Sequence, residues 1–303
     1  LWAALLLLLT AAPVFAQDAP PRRQRIISSA PVVTEILYAI GAGDEVVGTD
    51  DYSNYPPEAS QLKKYGGLGN VNIETLIALR PTLVVIYGKQ PELEAFCQKR
   101  GVAKVSVMIE SVEDVYKTIE SLGQATKHSQ QASDLAKQIR AEIEAVLAKT
   151  IRVLFDFEKE TTGEMTVKPI PRQDPPRTLI VIGRETGSFQ HVLTVGNGSF
   201  LDELIGFAGG KNVFAELKQP YPMISAEQII AAAPDVIIEF AGEAKGHGDE
   251  EKKKKDWAVF KSVPAVKNGR IHYLSGDHLL IPGPRIGKIA EDLVRVLHPE
   301  RSP

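Results

Sequence analysis

The chain has 303 residues, with 35 Lys and Arg against 38 Asp and Glu and a formal net charge of -3. That length can bury a large core and exceeds the usual single domain. The charge balance gives no electrostatic reason to bind nucleic acid or an acidic membrane surface. A lone cysteine, Cys97, excludes an internal disulfide, and export without disulfides is compatible with a soluble protein of a bacterial periplasm.

In chain order, Leu1 to Leu9 is almost wholly apolar and Val14-Phe-Ala16 offers a small-residue cleavage site before Gln17. Residues 1–16 therefore read as a secretory signal peptide, clipped at its start because no charged n-region precedes it. The stretch is too short to span a membrane, and Cys97 is too far from it to carry a lipid anchor. Residues 17–24, rich in Pro and Arg, read as a flexible leader. Residues 25–128 form an N-terminal lobe. Arg25 to Ser28 is a strand, Val33 to Ile40 a helix, and Val46 to Gly48 a strand that ends in the polar turn Thr49 to Pro57. Tyr65-Gly-Gly-Leu-Gly69 is a loop, and Pro91 to Arg100 and Lys104 to Val107 add a helix and a strand. Cys97, between Phe96 and Gln98 on that helix, reads as packing. Such alternation indicates a parallel sheet covered by helices on both faces.

Val112 to Lys149 is helical nearly throughout, with a break near Lys127-His-Ser129. Its second part, residues 129–150, carries Leu135, Ala136, Ile139, Ile143, Val146 and Leu147 at helical spacing. Such a helix spans about 30 Å and makes a stiff connector, which predicts small opening and closing motions. Residues 151–176 read as an insertion in which Ile151 to Phe157 pairs with Glu164 to Ile170 as a hairpin, followed by a loop from Pro169 to Pro176. Residues 177–303 form the C-terminal lobe, from the strand Leu179 to Ile182 to the helix Arg285 to Leu297. Lys252 to Lys255, which follow Asp249-Glu-Glu251, read as a solvated helix face.

The two lobes repeat one another. Asn72-Ile-Glu-Thr-Leu-Ile-Ala-Leu-Arg-Pro81 is echoed by Ser225-Ala-Glu-Gln-Ile-Ile-Ala-Ala-Ala-Pro234, and an apolar strand follows each. Asn72 and Ser225 are helix N-caps, Ser225 with Gln228 makes a capping box, and Pro81 and Pro234 end the helices. Glu35 to Val46 is likewise echoed by Asp202 to Val213, each a short helix closed by Gly. Two α/β lobes with a cleft between them follow from the shared order.

Ligands of doubly wound sheets bind beyond the carboxyl ends of the strands. That rule selects the loops at Thr49 to Tyr55, Tyr65 to Gly69, Tyr87 to Gln90, Gly183 to Val195, Pro220 to Pro222, Phe240 to Gly242 and Asp277 to Pro284. They contain Tyr52, Tyr55, Tyr65, Tyr87, Phe189, Tyr221 and Phe240, a set that suits a large, flat, partly apolar ligand, although some of these rings will pack beneath their own loops. Catalytic patterns are weak: neither Gly66-Gly-Leu-Gly69 nor Gly196-Asn-Gly-Ser199 is closed by the Lys-Ser/Thr of a phosphate loop, and no Ser sits in a nucleophile elbow. Of the six histidines only His128 lies in the first half, so a zinc cleft fed by both lobes is not legible. His191 and His278 fall on the selected loops, and either could give an axial ligand to a macrocycle metal or serve as a hydrogen-bonded structural residue.

From about Arg25 to Leu297 the chain resembles the class III substrate-binding proteins of ABC importers for vitamin B12, iron-siderophores and haem. It is most similar to the vitamin B12 binders. Asp51-Tyr-Ser-Asn-Tyr-Pro-Pro57, Pro220-Tyr-Pro-Met-Ile-Ser-Ala-Glu-Gln228, Gly276-Asp-His278 and Pro282-Gly-Pro-Arg285 carry the resemblance. It implies two Rossmann-like lobes with parallel sheets joined by one long α-helix, and a monomer of the periplasm that catalyses nothing and keeps no resident cofactor. The ligand it implies is cobalamin or another corrinoid, held by Tyr52, Tyr87 and Tyr221, with Leu68 and His278 standing where the family has aromatics. Asp277 and Arg285 lie on the matching C-terminal cleft loop, and Phe189 and Phe240, from the strand-end loops, complete the candidate ligand-binding set. The partner it implies is the inner-membrane permease dimer, docked through one surface glutamate per lobe, here Glu74 and Glu227. Stabilisation of a helix dipole, about 0.3–1 kcal/mol each, is the simpler role for these two acids. Haem or a ferric siderophore is the alternative ligand, with Arg184 and Arg285 as candidate cations and Tyr65 two residues from the position where haem binders of the family offer a tyrosine. A metal-dependent enzyme on the same scaffold would need a ligand cluster that the sequence does not display.

Overall fold

The computed structural model describes residues 23–159, 165–169, 174–241 and 248–299. The expected signal peptide and nearly all of the leader lie outside these residues. The N-terminal lobe contains β1 (Ile26–Ser28), α1 (Pro31–Ala39), β2 (Val46–Thr49), β3 (Lys63–Lys64), α2 (Ile73–Leu79), β4 (Leu83–Tyr87), α3 (Pro91–Arg100), β5 (Ala103–Val107) and α4 (Val112–Thr126). Its strands form a wholly parallel sheet in the order β3-β2-β1-β4-β5, with Ile26 opposite Leu83 and Leu83 opposite Ala103. Successive residues of β1 and β4 turn to opposite faces, as pleating requires. Ile27, Val84 and Ile86 pack with Leu76, Leu93, Phe96 and Cys97, whereas Ile26 and Val85 join α1 and α4. The chain reverses its direction of winding between β1 and β4, which opens a crevice at their carboxyl ends.

Helix α5 (Ser129–Leu154) follows Lys127, whose left-handed backbone breaks it from α4. It has 26 residues and spans about 39 Å. Its buried stripe, Ala132, Ala136, Ile139, Ile143 and Val146, belongs to one hydrophobic cluster that also holds Val33 and Ile36 of the first lobe and Leu201, Ile286 and Leu293 of the second. The lobes therefore share a continuous core, and bending between them would expose close-packed apolar surface. The helix runs past the expected connector, so Ile151 to Leu154 are helical and do not open the hairpin. No Pro or Gly interrupts the chain there, and the Thr150 hydroxyl ties the helix to the second lobe by donating to Phe207 O at 2.8 Å. The hairpin is β6 (Phe155–Lys159) against β7 (Met165–Pro169), antiparallel, with Phe155 opposite Pro169.

The second lobe contains β8 (Arg177–Gly183), β9 (Val192–Thr194), α6 (Phe200–Phe207), β10 (Lys211–Asn212), β11 (Met223–Ile224), α7 (Ala226–Ala232), β12 (Val236–Ala241), α8 (Gly248–Trp257), α9 (Pro264–Lys267), β13 (Ile271–Ser275) and α10 (Ile286–Leu297). Its sheet runs β11-β9-β8-β12-β13, with β10 beside the start of β8. It is not wholly parallel, as the alternating pattern implies, but mixed: β9 is antiparallel to β8, and β11 to β9. A parallel return needs about a dozen residues or more, and residues 184–191 are too few, so the chain doubles back. Among the described residues no helix is long and apolar enough to cross a membrane.

Candidate functional site

A cavity of about 680 Å³ opens between the lobes. The first lobe supplies Tyr87 from the end of β4 and Met108, Ile109 and Glu110 from the loop after β5. The second supplies Ile182, Leu193, Gln219, Pro220, Tyr221, Leu280 and Pro282. Of the described residues that line it none is Lys, Arg or His, and Glu110 is the one formally charged group.

Tyr87 is fixed at both ends. Its backbone N–H donates to Ser29 Oγ at 2.8 Å, its hydroxyl donates to Ile109 O at 3.3 Å, and Gln90 Nε2 bridges Ser29 Oγ and Tyr87 O. Burial, reinforced by Glu110, raises its phenol pKa against the opposing Ile109 contact. Tyr221 faces it across the cleft at 43 % exposure. Burial, with Tyr87 and Glu110 nearby, pushes the Tyr221 phenol up to about 12. The Tyr221 loop is held by backbone hydrogen bonds from Thr194 N to Pro222 O, Gly196 N to Pro220 O and Asn197 N to Leu217 O. Gly196 is required there, because a Cβ would stand 2.1 Å from Gln219 O. Both phenols stay protonated near neutral pH, offering stacking faces and neutral hydroxyls.

Other expected site residues have different surroundings. Tyr52 and Leu68 are exposed, at 71 % and 79 %, and neither borders the cavity. They sit on the loops beyond β2 and β3, where the Tyr52 ring lies close enough to Gly67 that a Cβ there would be 3.3 Å away. Tyr65, the tyrosine considered for haem, is buried with its hydroxyl donating to Ser28 O at 3.3 Å, and so packs under its loop. Phe240 is 5 % exposed in the core and does not present its ring to the cleft. Phe189 packs edge-on against Trp257 and Phe260, with centroids 4.7 and 4.6 Å away, and lines a separate concavity. The neighbouring Arg184 side chain is fully buried between Glu239 at 3.1 Å and Asp256 at 2.9 Å.

Asp277 and Arg285 bind each other rather than open space. Arg285 donates to Asp277 at 2.7 Å and reaches across the lobes to Glu35 at 2.5 and 2.9 Å. Its guanidinium stacks on Tyr55 with 3.9 Å to the ring centroid. Burial raises the Glu35 pKa despite Arg285, whereas the Arg285 hydrogen bonds hold Asp277 below its ordinary value. His278 is buried, with Nε2 3.6 Å from Asp292 Oδ2, and burial lowers its pKa. His191 is exposed beside the separate concavity. Neither histidine borders the cleft, so neither is placed as an axial ligand there, and among the described residues no group of three metal-ligating side chains occurs.

Glu74 and Glu227 occupy the first turns of α2 and α7, and both are exposed. Asn72 caps α2 through Thr75 N, and Ser225 with Gln228 forms the capping box of α7. Ser225 Oγ also donates to Glu227 at 2.6 Å, which lowers that carboxyl's pKa. Sequence reasoning missed Ile182, Gly198, Ser199 and Gln219 of the lining, and also Met108, Ile109 and Glu110, which follow β5 directly. The carboxyl-end rule applied to that strand as well would have found those last three.

A model of the periplasmic binding protein family matches residues 26–152 and 160–277. The chain is 30 % identical over 269 residues to a vitamin B12-binding protein of Vibrio parahaemolyticus, covering 86 % of this chain and 85 % of that one. It is 27 % identical to an uncharacterized ABC transporter substrate-binding lipoprotein of Bacillus subtilis, covering 91 % and 81 %. Among solved structures, a periplasmic haem-binding protein from Roseiflexus sp. RS-1 in apo form superposes with a TM-score of 0.71 at 26 % identity, covering 92 % of this chain and 99 % of that one.

Proposed function

The chain belongs to the periplasmic binding protein family, and on that premise we propose that it captures a corrinoid of the vitamin B12 type in its interlobe cleft and delivers it to the permease of an ABC importer. The observation that carries the reading is the cavity between Tyr87 and Tyr221, whose charged lining is the single acid Glu110. A corrin presents a broad apolar face and an edge of neutral amides. The face suits two phenol rings, and amide N–H groups suit Glu110 and the Gln219 carbonyl. The periplasm is where such capture operates, and no bond is made or broken.

Haem is the second reading, favoured by the haem-binding name of the Roseiflexus relative. Haem carboxylates and anionic siderophores call for cations, yet Arg184 and Arg285 are already paired with Glu239, Asp256, Glu35 and Asp277. Calorimetric titration with cyanocobalamin, cobinamide and haemin separates the two readings. Binding of either corrinoid supports the proposal, and tight haemin binding with silence toward both corrinoids overturns it. Delivery is assigned to Glu74 and Glu227, one exposed acid per lobe, each meeting a cationic side chain of a two-fold-symmetric permease.

A further inference from the structure

A second concavity of about 650 Å³ lies on the C-terminal lobe and shares no lining residue with the cleft. Its apolar walls are Phe189, Ala226, Ile230, Val259 and Phe260, and Glu227 lines it with them. The β9–β11 ribbon separates the two hollows: Leu193 borders the cleft, while its neighbour Val192 packs with Ile224 and Phe260 on the opposite face. Ile230 and Val259 are 47 % and 72 % exposed, so apolar surface is on offer beside a carboxylate.

The internal repeat supplies an independent observation. Ile230 stands three residues after Glu227, as Ile77 does after Glu74, and Ile77 is also exposed at 40 %. The residues just before them, Ile229 and Leu76, are fully buried. Positions three apart share a helix face, so each lobe presents an acid and an isoleucine side by side. Core packing accounts for Leu76 and Ile229 but not for the isoleucines that follow.

We propose that the groove beside Glu227 is a socket for apolar side chains of the permease, entered by a segment that also sets an Arg or Lys against Glu227. The proposal rests on the docking role given to Glu74 and Glu227. Charge complementarity selects the occupant, because the described lining holds a carboxylate and no Lys or Arg. The two equivalent permease segments would then meet a recess on the second lobe and a flush step of Ile73 and Ile77, each 40 % exposed, on the first.

The test is saturable cosedimentation of the purified chain with inner-membrane vesicles from the cells that make it, with a benzophenone side chain at Gln190 to report the contacted polypeptide. Ile230→Asp and Val259→Asp should each weaken binding about tenfold, leave cyanocobalamin affinity and thermal melting unchanged, and abolish cross-linking to the permease subunit. Both side chains are exposed, so the fold tolerates the change. Wild-type binding by Ile230→Asp and Val259→Asp, alongside loss in Glu74→Lys and Glu227→Lys, overturns the socket and leaves the docking role standing. Loss in the socket variants with normal binding by both charge reversals sinks the glutamate docking and, with it, the cation set against Glu227, so the proposal as stated falls and only an apolar contact is left. Cross-linking only to polypeptides other than the permease overturns the proposal.

Discussion

Arg285→Met tests the reasoning about the interlobe contact most directly. The guanidinium side chain is 19 % exposed and its partner Glu35 is 2 % exposed, so the substitution strands a buried carboxylate in the wall between lobes. Removing one partner of such a pair costs about 3–5 kcal/mol, and the partial exposure of Arg285 puts the expectation near the lower end. At about 1.6 °C per kcal/mol for a chain of 303 residues, melting should fall by about 5 °C. Replacing both partners, Glu35→Leu with Arg285→Met, should restore most of the loss, because no buried charge is left unpaired and Asp277, which also loses Arg285, is 38 % exposed to solvent.

The pH dependence has a definite sign. Burial already raises Glu35, and losing Arg285 raises it further. An acid raised in the folded state costs stability as pH rises above its unfolded value, about 4.3, and costs nothing below it. Asp277, lowered by Arg285, contributes stability above its unfolded value of about 3.9 that disappears as pH falls. Both groups make the deficit of Arg285→Met largest near neutral pH and smaller on acidification. Calorimetric melting of wild type, single and double variants across that range is the assay. A single variant that melts with the wild type, or a double variant as damaged as the single, refutes the account.

Tyr87→Ala and Tyr221→Ala should each weaken cyanocobalamin binding about tenfold or more by calorimetry, since each removes an aromatic wall of the cavity; unchanged affinity would take that ring out of the site. The absorbance change on deprotonation that is missing from Tyr221→Phe should fall at about pH 12, and ligand affinity should be flat across the neutral range; a missing step near the ordinary value of about 10 would mean an open, hydrated ring. Gly196→Ala should destabilise the protein by about 2 kcal/mol or more and weaken ligand binding, because its Cβ would meet Gln219 O at 2.1 Å. The control Gly206→Ala in α6, where no atom lies within 4 Å of the added carbon, should be neutral or stabilising by about 0.5–1 kcal/mol.

Local chemistry made much of the scaffold readable. Asn72 and Ser225 cap helices as their side chains require, and apolar runs such as Leu83–Tyr87 and Val236–Ala241 are central parallel strands. The repeat placed Glu74 and Glu227 in equivalent exposed turns, because a duplicated local sequence carries its duplicated geometry with it. The direction of β9 was also within reach, since residues 184–191 are too few for a parallel crossover.

The cleft was legible only in part. Membership of a loop at the carboxyl edge put Tyr87 and Tyr221 in the right neighbourhood, but it also nominated Tyr65 and Phe240, which the fold buries. Whether a loop aromatic faces inward or outward depends on how neighbouring elements stack, and periodicity carries no such information outside regular structure.

Capping residues, apolar runs and the internal repeat thus made two α/β lobes, their long connecting helix and the matching acidic turns legible, since helices and caps depend on contacts a few residues apart and a repeated pattern folds alike. The fate of Arg285, matched with Glu35 at a separation of 250 residues, was decided by tertiary structure alone. So were the burial of His278 and the hollow between Ile230 and Val259. These features arise where distant segments meet, and which distant side chains neutralise, cover or expose one another is set only when the whole chain has packed.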